Sequence, residues 1–280
     1  MLALLAATFF SSAFGLVLRD ALGRRCNPWA VGLVNYLMAT AIQLGRHAAS
    51  GQPWEASGQT LLLGGATGVL YAVNFALFVP LLGQRGVSIP SAMSRLAVVF
   101  PILASLLIWG ERLTALQGLG ALLSLAAMPL LTLSPGDKDG RSGRSAGLLL
   151  ALLLGNGLSM VFTKAYERTS LPGQDALYLA ALFGVACLVA GGFWLRHRAG
   201  TSARDVLPGI ALGTTNALAN WGLVSALGSL PAVLVFPFFS AVGLVFSAVL
   251  ARILFGERIA ALERGGIVLA VAAVTLANLG

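Results

Sequence analysis

The stretch that decides the fold occurs twice in the chain. Residues 109–128 read WGERLTALQGLGALLSLAAM, and residues 255–274 read FGERIAALERGGIVLAVAAV. The two stretches share Gly-Glu-Arg and a later glycine in register, at an offset of 146 residues. The same offset relates three further pairs: Asn74 and Asn220, Ser94 and Ser240, and Phe100 and Phe246. A constant offset over three apolar segments is hard to obtain by chance, so the sequence indicates an internal repeat.

The composition indicates an integral membrane protein. The 280 residues are 58% hydrophobic and 10% charged, with a mean hydropathy of +0.87, whereas soluble domains carry about 25% charged residues. Two cysteines and two histidines, without a ligand spacing, predict neither a disulfide scaffold nor a metal site. No cofactor motif is present, and a net charge of +8 is more typical of loop charges than of nucleic-acid binding. The apolar N-terminal stretch is interpreted as a retained first helix.

Ten segments are long enough to cross a bilayer as helices, since a span needs about 20 apolar residues. The predicted fold class is therefore all-α, with ten transmembrane helices. The spans are Leu2–Leu18, Pro28–Leu44, Leu61–Leu82, Ser88–Trp109, Ala115–Leu133, Ala146–Phe162, Ala176–Leu195, Leu207–Leu227, Pro231–Leu254 and Ile259–Leu279.

The repeat divides these spans into two halves of five. We expect a first half at residues 1–133, a connecting loop at 134–145 and a second half at 146–280. Because five is odd, the second half enters the membrane in the opposite direction. Inverted repeats are typical of secondary transporters, in which the substrate site lies near the midplane between the halves.

The duplicated GER[LI]xALxxxG motif, at Gly110–Gly120 and Gly256–Gly266, resembles that of the drug/metabolite transporter superfamily, in particular its EamA-like branch. The resemblance implies that spans one, three, four, six, eight and nine line a central cavity, and that spans five and ten are peripheral. It also implies a small-molecule substrate: an amino acid, another small metabolite, a sugar, a nucleotide sugar or a drug. Glu111 and Glu257 are expected to be structural, capping the following helix and pairing locally with Arg112 and Arg258.

Arg95 is the basic residue that lies well inside a span. An ionised side chain near the bilayer centre costs about 2.5–3.5 kcal/mol on insertion scales. Pro90 and Pro101 in the same span predict a kink, which leaves room beside a cavity. We therefore expect the guanidinium to bind a carboxylate or phosphate of the substrate. The structural alternative is that it extends to the membrane interface or to a neighbouring carbonyl.

The other candidate substrate-binding residues are polar or aromatic groups inside spans. An Asn pair related by the repeat either flanks the ligand or joins helices. The candidates are Asn74, Asn220, Tyr71, Trp221, Ser94, Ser240, Asn156 and Phe239, with weaker support for Asn35, Tyr36, Ser159 and Asn216.

The sequence excludes some functions and leaves others open. No carboxylate lies in the middle of a span, which disfavours exchange of lipophilic cations for protons. The sequence has no paired aspartates and no intramembrane histidine, which disfavours an enzyme. It has no P-loop, which disfavours an ATP-driven pump. We expect a transporter or facilitator of a small polar metabolite, such as an amino acid or a related carboxylate. The alternatives are a sugar or nucleotide-sugar carrier of the same fold and a membrane subunit that transports nothing.

Loop charge predicts the orientation in the membrane. Thirteen of the 18 basic residues follow odd-numbered spans, and four follow even-numbered ones. The positive-inside rule places the thirteen in the cytoplasm of a prokaryotic cell, with the protein in the inner membrane and both termini outside.

A reporter that is active only in the cytoplasm tests this orientation. Fused at Gly280, it is expected to be inactive. Fused after Gly140, in a predicted cytoplasmic loop, it is expected to be active. An active fusion at Gly280 would reverse the assignment.

Overall fold

The computed structural model describes residues 1–85, 94, 96–112, 114–132, 143–169, 171–255, 264–265, 267–269, 271–272 and 275–276. Arg95 and the second Gly-Glu-Arg motif lie outside these residues. Most of the connecting loop also lies outside them, as do all residues of the tenth predicted span except those given above.

The described part of the chain contains nine α-helices and no strand. Each overlaps one of the first nine predicted spans, α4 covering only the later part of the fourth, and the described residues between 264 and 276 are also helical. A short 3-10 turn at Ala203–Asp205 precedes the eighth helix. The helices are α1 (Leu2–Gly23), α2 (Pro28–Ser50), α3 (Gly58–Arg85), α4 (Val99–Leu107), α5 (Ala115–Thr132), α6 (Gly143–Thr169), α7 (Asp175–Arg196), α8 (Val206–Leu227) and α9 (Ala232–Phe255).

Four helical segments in the described part are long and apolar enough to cross a membrane: Leu2–Gly23, Gly58–Leu81, Gly147–Thr169 and Asp175–Arg196. The helices α2 and α8 are of similar length, 23 and 22 residues. They carry the buried amide side chains of Asn35, Gln43, Asn216 and Asn220, and α3 carries that of Asn74.

Several helices extend beyond the apolar runs that predicted them. The second span was predicted to end at Leu44, whereas α2 continues to Ser50, where Gly51 ends it with a φ of 67°. Its beginning agrees with the prediction because Asn27 caps it, accepting hydrogen bonds from the backbone N–H groups of Trp29 and Ala30. Apolar composition marks only the stretch suited to lipid, whereas backbone hydrogen bonding continues into the polar ends.

Helices of the first half pack mainly on helices of the second half. The helix α1 lies against α8 and α9, α2 against α7 and α8, α3 against α6 and α7, and α4 against α6 and α9. The main apolar cluster draws residues from both halves, including Tyr36, Phe75, Tyr178, Phe183 and Leu212. The core of the molecule is thus a surface shared by the two halves.

The contact between α3 and α7 is close enough to involve the backbone. A methyl group at Gly64 would lie 2.8 Å from the carbonyl oxygen of Tyr178, and one at Gly68 would overlap the carbonyl oxygen of Leu182. Small residues allow membrane helices to approach in this way. Glycine is therefore required at both positions by the neighbouring helix.

The contact between α8 and α2 repeats this arrangement. A methyl group at Gly209 would lie 2.5 Å from Cβ of Val34, and one at Gly213 would lie 2.5 Å from the carbonyl oxygen of Asn35. Two glycines four residues apart therefore bring each of these helix pairs together.

Glu111, in the connection between α4 and α5, forms a buried ion-pair cluster with the end of α6. Its Oε1 lies 2.8 Å from Nζ of Lys164 and 3.1 Å from Nη2 of Arg168. Lys164 also pairs with Glu167 at 2.6 Å, and Oε2 of Glu111 accepts a 3.4 Å hydrogen bond from the backbone N–H of Val233. The cluster thus joins the first half to two helices of the second.

This arrangement differs from the expected role of Glu111. The carboxylate lies at the N-terminal end of α9, where the helix dipole favours negative charge, and its ion-pair partners come from another helix of the second half. Residues 53 positions apart in the sequence provide no local pattern from which to predict the Lys164 pairing. Gly110, with a φ of 60°, makes the turn that precedes the carboxylate.

We expect Gly68→Ala to destabilise the protein and Gly65→Ala to be neutral or slightly stabilising. The methyl group at 68 forces α3 and α7 apart, which typically costs about 1–3 kcal/mol. At position 65 the methyl group meets Cγ2 of Val185 at 3.7 Å, an ordinary contact, and alanine is the better helix former. Thermal unfolding in detergent measures both, and equal melting temperatures would show that the close contact is not required.

The stability of the protein is expected to fall in acid partly through Glu111. Burial raises the pKa of its carboxyl, but the hydrogen bond and charge of Lys164, with Val233 and Arg168, outweigh burial and hold the pKa below its ordinary value. Its stabilising effect is present above about pH 4.3, the ordinary value of the group, and is lost as the pH falls through the lowered pKa. Melting curves between pH 6 and pH 3 should show a smaller pH dependence for Glu111→Gln, and parallel curves would contradict this.

Candidate functional site

A cavity of about 300 Å³ lies between helices of the two halves. Its described lining comes from α1, α3, α6, α8 and α9, together with Tyr36 of α2 and Ser94 of the fourth span. These include the six spans that the family resemblance implied. None of the described lining residues is acidic.

Seven of the nine predicted substrate-binding residues meet at this cavity. They come from five spans of both halves and include the repeat-related Asn and Ser pairs. The seven are Tyr71, Asn74, Ser94, Asn156, Asn220, Phe239 and Ser240. Of the other two, Arg95 lies outside the described residues and Trp221 lies elsewhere.

Trp221 does not line the cavity. Its side chain is 43% exposed, and the guanidinium of Arg46 lies 4.6 Å from its ring centroid. Successive residues of a helix point about 100° apart, so a position at the cavity for Asn220 does not carry Trp221 there with it. The prediction overlooked this by treating the two neighbours as one polar group.

A chain of buried hydrogen bonds links α3, α8 and α2 beside the cavity. The Tyr71 hydroxyl donates to Oδ1 of Asn220 at 2.7 Å. Nδ2 of Asn220 donates to Oδ1 of Asn216 at 2.9 Å, and Nδ2 of Asn216 donates to Oδ1 of Asn35 at 3.1 Å. The Tyr36 hydroxyl donates to the backbone carbonyl of Tyr71 at 3.0 Å. These bonds fix the orientation of the polar groups on this wall of the cavity.

A second polar contact joins α6 to the fourth span. Nδ2 of Asn156 donates to Oγ of Ser94 at 3.3 Å and to the backbone carbonyl of Leu152 at 2.8 Å. Asn156 and Ser94, which were predicted separately, therefore form one hydrogen-bonded pair in the wall of the cavity.

Asn74 differs from the other amides at the cavity. Its side chain is 7% exposed, and within the described part of the chain neither Oδ1 nor Nδ2 has a hydrogen-bond partner. It reaches the cavity because Gly155 of α6 leaves space beside it, where a methyl group would overlap Oδ1 of Asn74. Buried polar groups are almost always hydrogen-bonded, so the donor and the acceptor of this amide lack the partner that such groups normally have among the described residues.

Three polar residues that line the cavity were not predicted from the sequence: Ser11, Arg19 and Thr163. Arg19 was counted as a loop charge because it follows the first apolar run, yet α1 continues to Gly23. The signal that could have found it is helical spacing, since Gly15, Leu18 and Leu22 line the cavity with it. Arg19 is the charged residue of the described lining.

Comparison with known proteins gives the family and the fold. Residues 1–133 match the sequence model of the EamA-like transporter family. No curated protein matches the chain. A solved structure, titled only "Crystal structure of protein", superposes with a TM-score of 0.77 over 99% of this chain and 98% of its own, at 17% sequence identity. That likeness shows a shared fold.

Members of the EamA-like family are transporters rather than enzymes. The apolar helices and the family match agree with each other, and they confirm the resemblance predicted from the duplicated motif. The chain is a multi-pass membrane protein whose residues 1–133 match the EamA-like transporter family of the drug/metabolite transporter superfamily.

Proposed function

We propose that the protein is a secondary transporter or facilitator of a small polar metabolite that carries a carboxylate. The observation that carries this proposal is Asn74, a buried amide at the cavity with both polar atoms unpartnered in the described structure. A ligand that both accepts and donates hydrogen bonds would complete it. The cavity volume of about 300 Å³ suits a small metabolite.

The charge of the site favours an anionic group on the substrate. The described lining contains Arg19 and no carboxylate. Arg95 follows Ser94, which lines the cavity, and a guanidinium binds a carboxylate through two parallel hydrogen bonds. We assign Arg95 the role of substrate anchor.

Alternating access between two inverted halves is the mechanism that we propose. The packing supports it, because each pair of helices has a counterpart when the halves are exchanged: α1 with α8 corresponds to α6 with α3, and α2 with α8 corresponds to α7 with α3. The paired glycines of α3 and α8 follow the same exchange. Movement of the halves about their shared core would open the cavity to one side of the membrane at a time.

A ligand screen with Arg95→Ala in parallel tests the substrate class. Thermal shift of the purified protein against small carboxylates, phosphates and sugars is expected to yield carboxylate hits. At 100 times its dissociation constant, a ligand stabilises the parent by about 2.7 kcal/mol. Arg95→Ala should lose most of this shift, while Trp221→Phe, outside the cavity, should keep it.

Counterflow of a labelled hit in proteoliposomes then separates a transporter from a subunit that only binds. Equal stabilisation of the parent and of Arg95→Ala would remove the arginine from the site. Hits confined to sugars would favour the sugar carrier, and binding without counterflow would refute transport.

A further inference from the structure

We infer that the ion pairs of Glu111 with Lys164 and Arg168, together with the apolar cluster next to them, form a gate that closes one end of the cavity. We call this the α6 end, because α6 ends there at Thr169. The inference rests on the proposed function, since it concerns access to the cavity of a transporter. It deepens that proposal by naming the contacts that must break before this end opens.

Four helices meet at the α6 end. Glu111 joins the last two turns of α6 to the first turn of α9, because it pairs with Lys164 and accepts the hydrogen bond of the Val233 N–H. The helix α8 ends here too, since a short connection joins it to α9. The helix α1 begins here: a methyl group at Gly222 of α8 would lie 2.8 Å from the carbonyl oxygen of Ala3.

An apolar cluster separates the cavity from this end. On α8 the described lining stops at Leu223, and Leu227 follows one turn later. On α9 the lining starts at Phe239, and Phe236 precedes it. Leu227 and Phe236 are 2% and 0% exposed, and they belong to one cluster with the fully buried Leu4 of α1. Side chains from three helices therefore fill the space between the cavity and the α6 end.

The ion pairs form a second layer, nearer the α6 end. Thr163 is the last described lining residue of α6, and Lys164 follows it with 2% of its side chain exposed. The Glu111 side chain is 6% exposed and comes from the first half, whereas Lys164 and Arg168 come from the second. Any movement that parts the two halves at this end must therefore break these pairs.

Lys164 has a carboxylate partner that stays with it during such a movement. Its Nζ lies 2.6 Å from Oε2 of Glu167, one turn further along the same helix. A buried charge that loses its only partner is strongly destabilising. Because Glu167 remains beside the ammonium when Glu111 moves away, the contact between the halves can break and form again, as a gate requires.

The repeat shows that the two ends of the cavity differ. At an offset of 145 residues, four lining residues of α1 correspond to four of α6. The pairs are Ser11 with Asn156, Phe14 with Ser159, Gly15 with Met160, and Leu18 with Thr163. On α1 the lining continues to Arg19 and Leu22, whereas on α6 it stops before Lys164, the counterpart of Arg19. Equivalent residues in different surroundings are expected when the two ends of an inverted repeat are in different states.

Sided labelling of a cysteine in the cavity tests the gate without a substrate. Cys26→Ser and Cys187→Ala remove both cysteines of the chain, and Ser159→Cys places a thiol in the lining. A membrane-impermeant thiosulfonate is added to membrane vesicles of either orientation. Exposed reference cysteines, Ser229→Cys at the α6 end and Ala199→Cys at the opposite end, identify the end that the reagent reaches.

We expect Glu111→Gln to raise the labelling rate of Ser159→Cys from the α6 end at least about tenfold, the ratio that corresponds to one lost hydrogen bond to a charged group. The rate from the opposite end should not rise. Asp20→Asn is the matched control, because it removes a carboxylate from an exposed ion pair with Arg24 inside α1. An unchanged rate in Glu111→Gln, an equal rise from both ends, or the same rise in Asp20→Asn would overturn the inference.

Arg168→Gln keeps the test decisive if Glu111→Gln does not fold. The Arg168 side chain is 40% exposed, and its loss leaves the pair of Glu111 with Lys164 in place. We expect labelling from the α6 end to rise by a smaller factor, about two- to fivefold, as for the loss of a partly exposed ion pair. No rise in this variant would also overturn the gate.

Failure of this inference is distinguishable from failure of the proposed function. Counterflow of a labelled hit, without an effect of Glu111→Gln on sided labelling, leaves the transporter and overturns the gate. Increased labelling from the α6 end without counterflow of any hit leaves the gate and refutes transport.

Discussion

The backbone contacts that α3 makes with α7, and α8 with α2, are the constraint on which the rest of the structure depends. Pairs of glycines bring each of these helices against the carbonyl groups of its neighbour. Inside a bilayer, apolar side chains gain little free energy by leaving lipid for another helix. Close packing therefore has to hold the helices together. With α2 and α7 fixed in this way, the longer side chains of α3, α6 and α8 surround a space instead of filling it.

Much of this architecture was predictable from the sequence, because two strong signals coincide. Long apolar runs locate helices in a membrane protein, and a constant offset predicts which helices of the two halves correspond. The ends of the helices were less predictable. The end of α2 depends on Gly51, and the end of α1 on a polar turn that still forms backbone hydrogen bonds. Hydropathy records neither.

At the candidate site, polar residues that stand alone in an apolar run, such as Asn74 and Asn156, line the cavity, and their part in substrate binding stays a prediction. The predictions were wrong where the direction in which a side chain points decides whether it reaches the cavity. Trp221 follows Asn220 in the sequence but points away from the cavity, and Arg19 was assigned to a loop. The ion pair of Glu111 with Lys164 and the donor order of the Tyr71–Asn220–Asn216 chain depend on contacts between distant segments, which a single sequence does not reveal.

The interleaving of the two halves has a consequence for how the protein is made. The extensive contacts of α1, α2 and α3 are with α6, α7, α8 and α9, and those helices are synthesised later. As the first half leaves the ribosome, it can cross the membrane but cannot bury its polar interior against its final partners. Asn35 and Gly68 then face lipid or chaperones until the second half arrives. The first half is therefore an assembly intermediate, and the native bundle forms only near the end of translation.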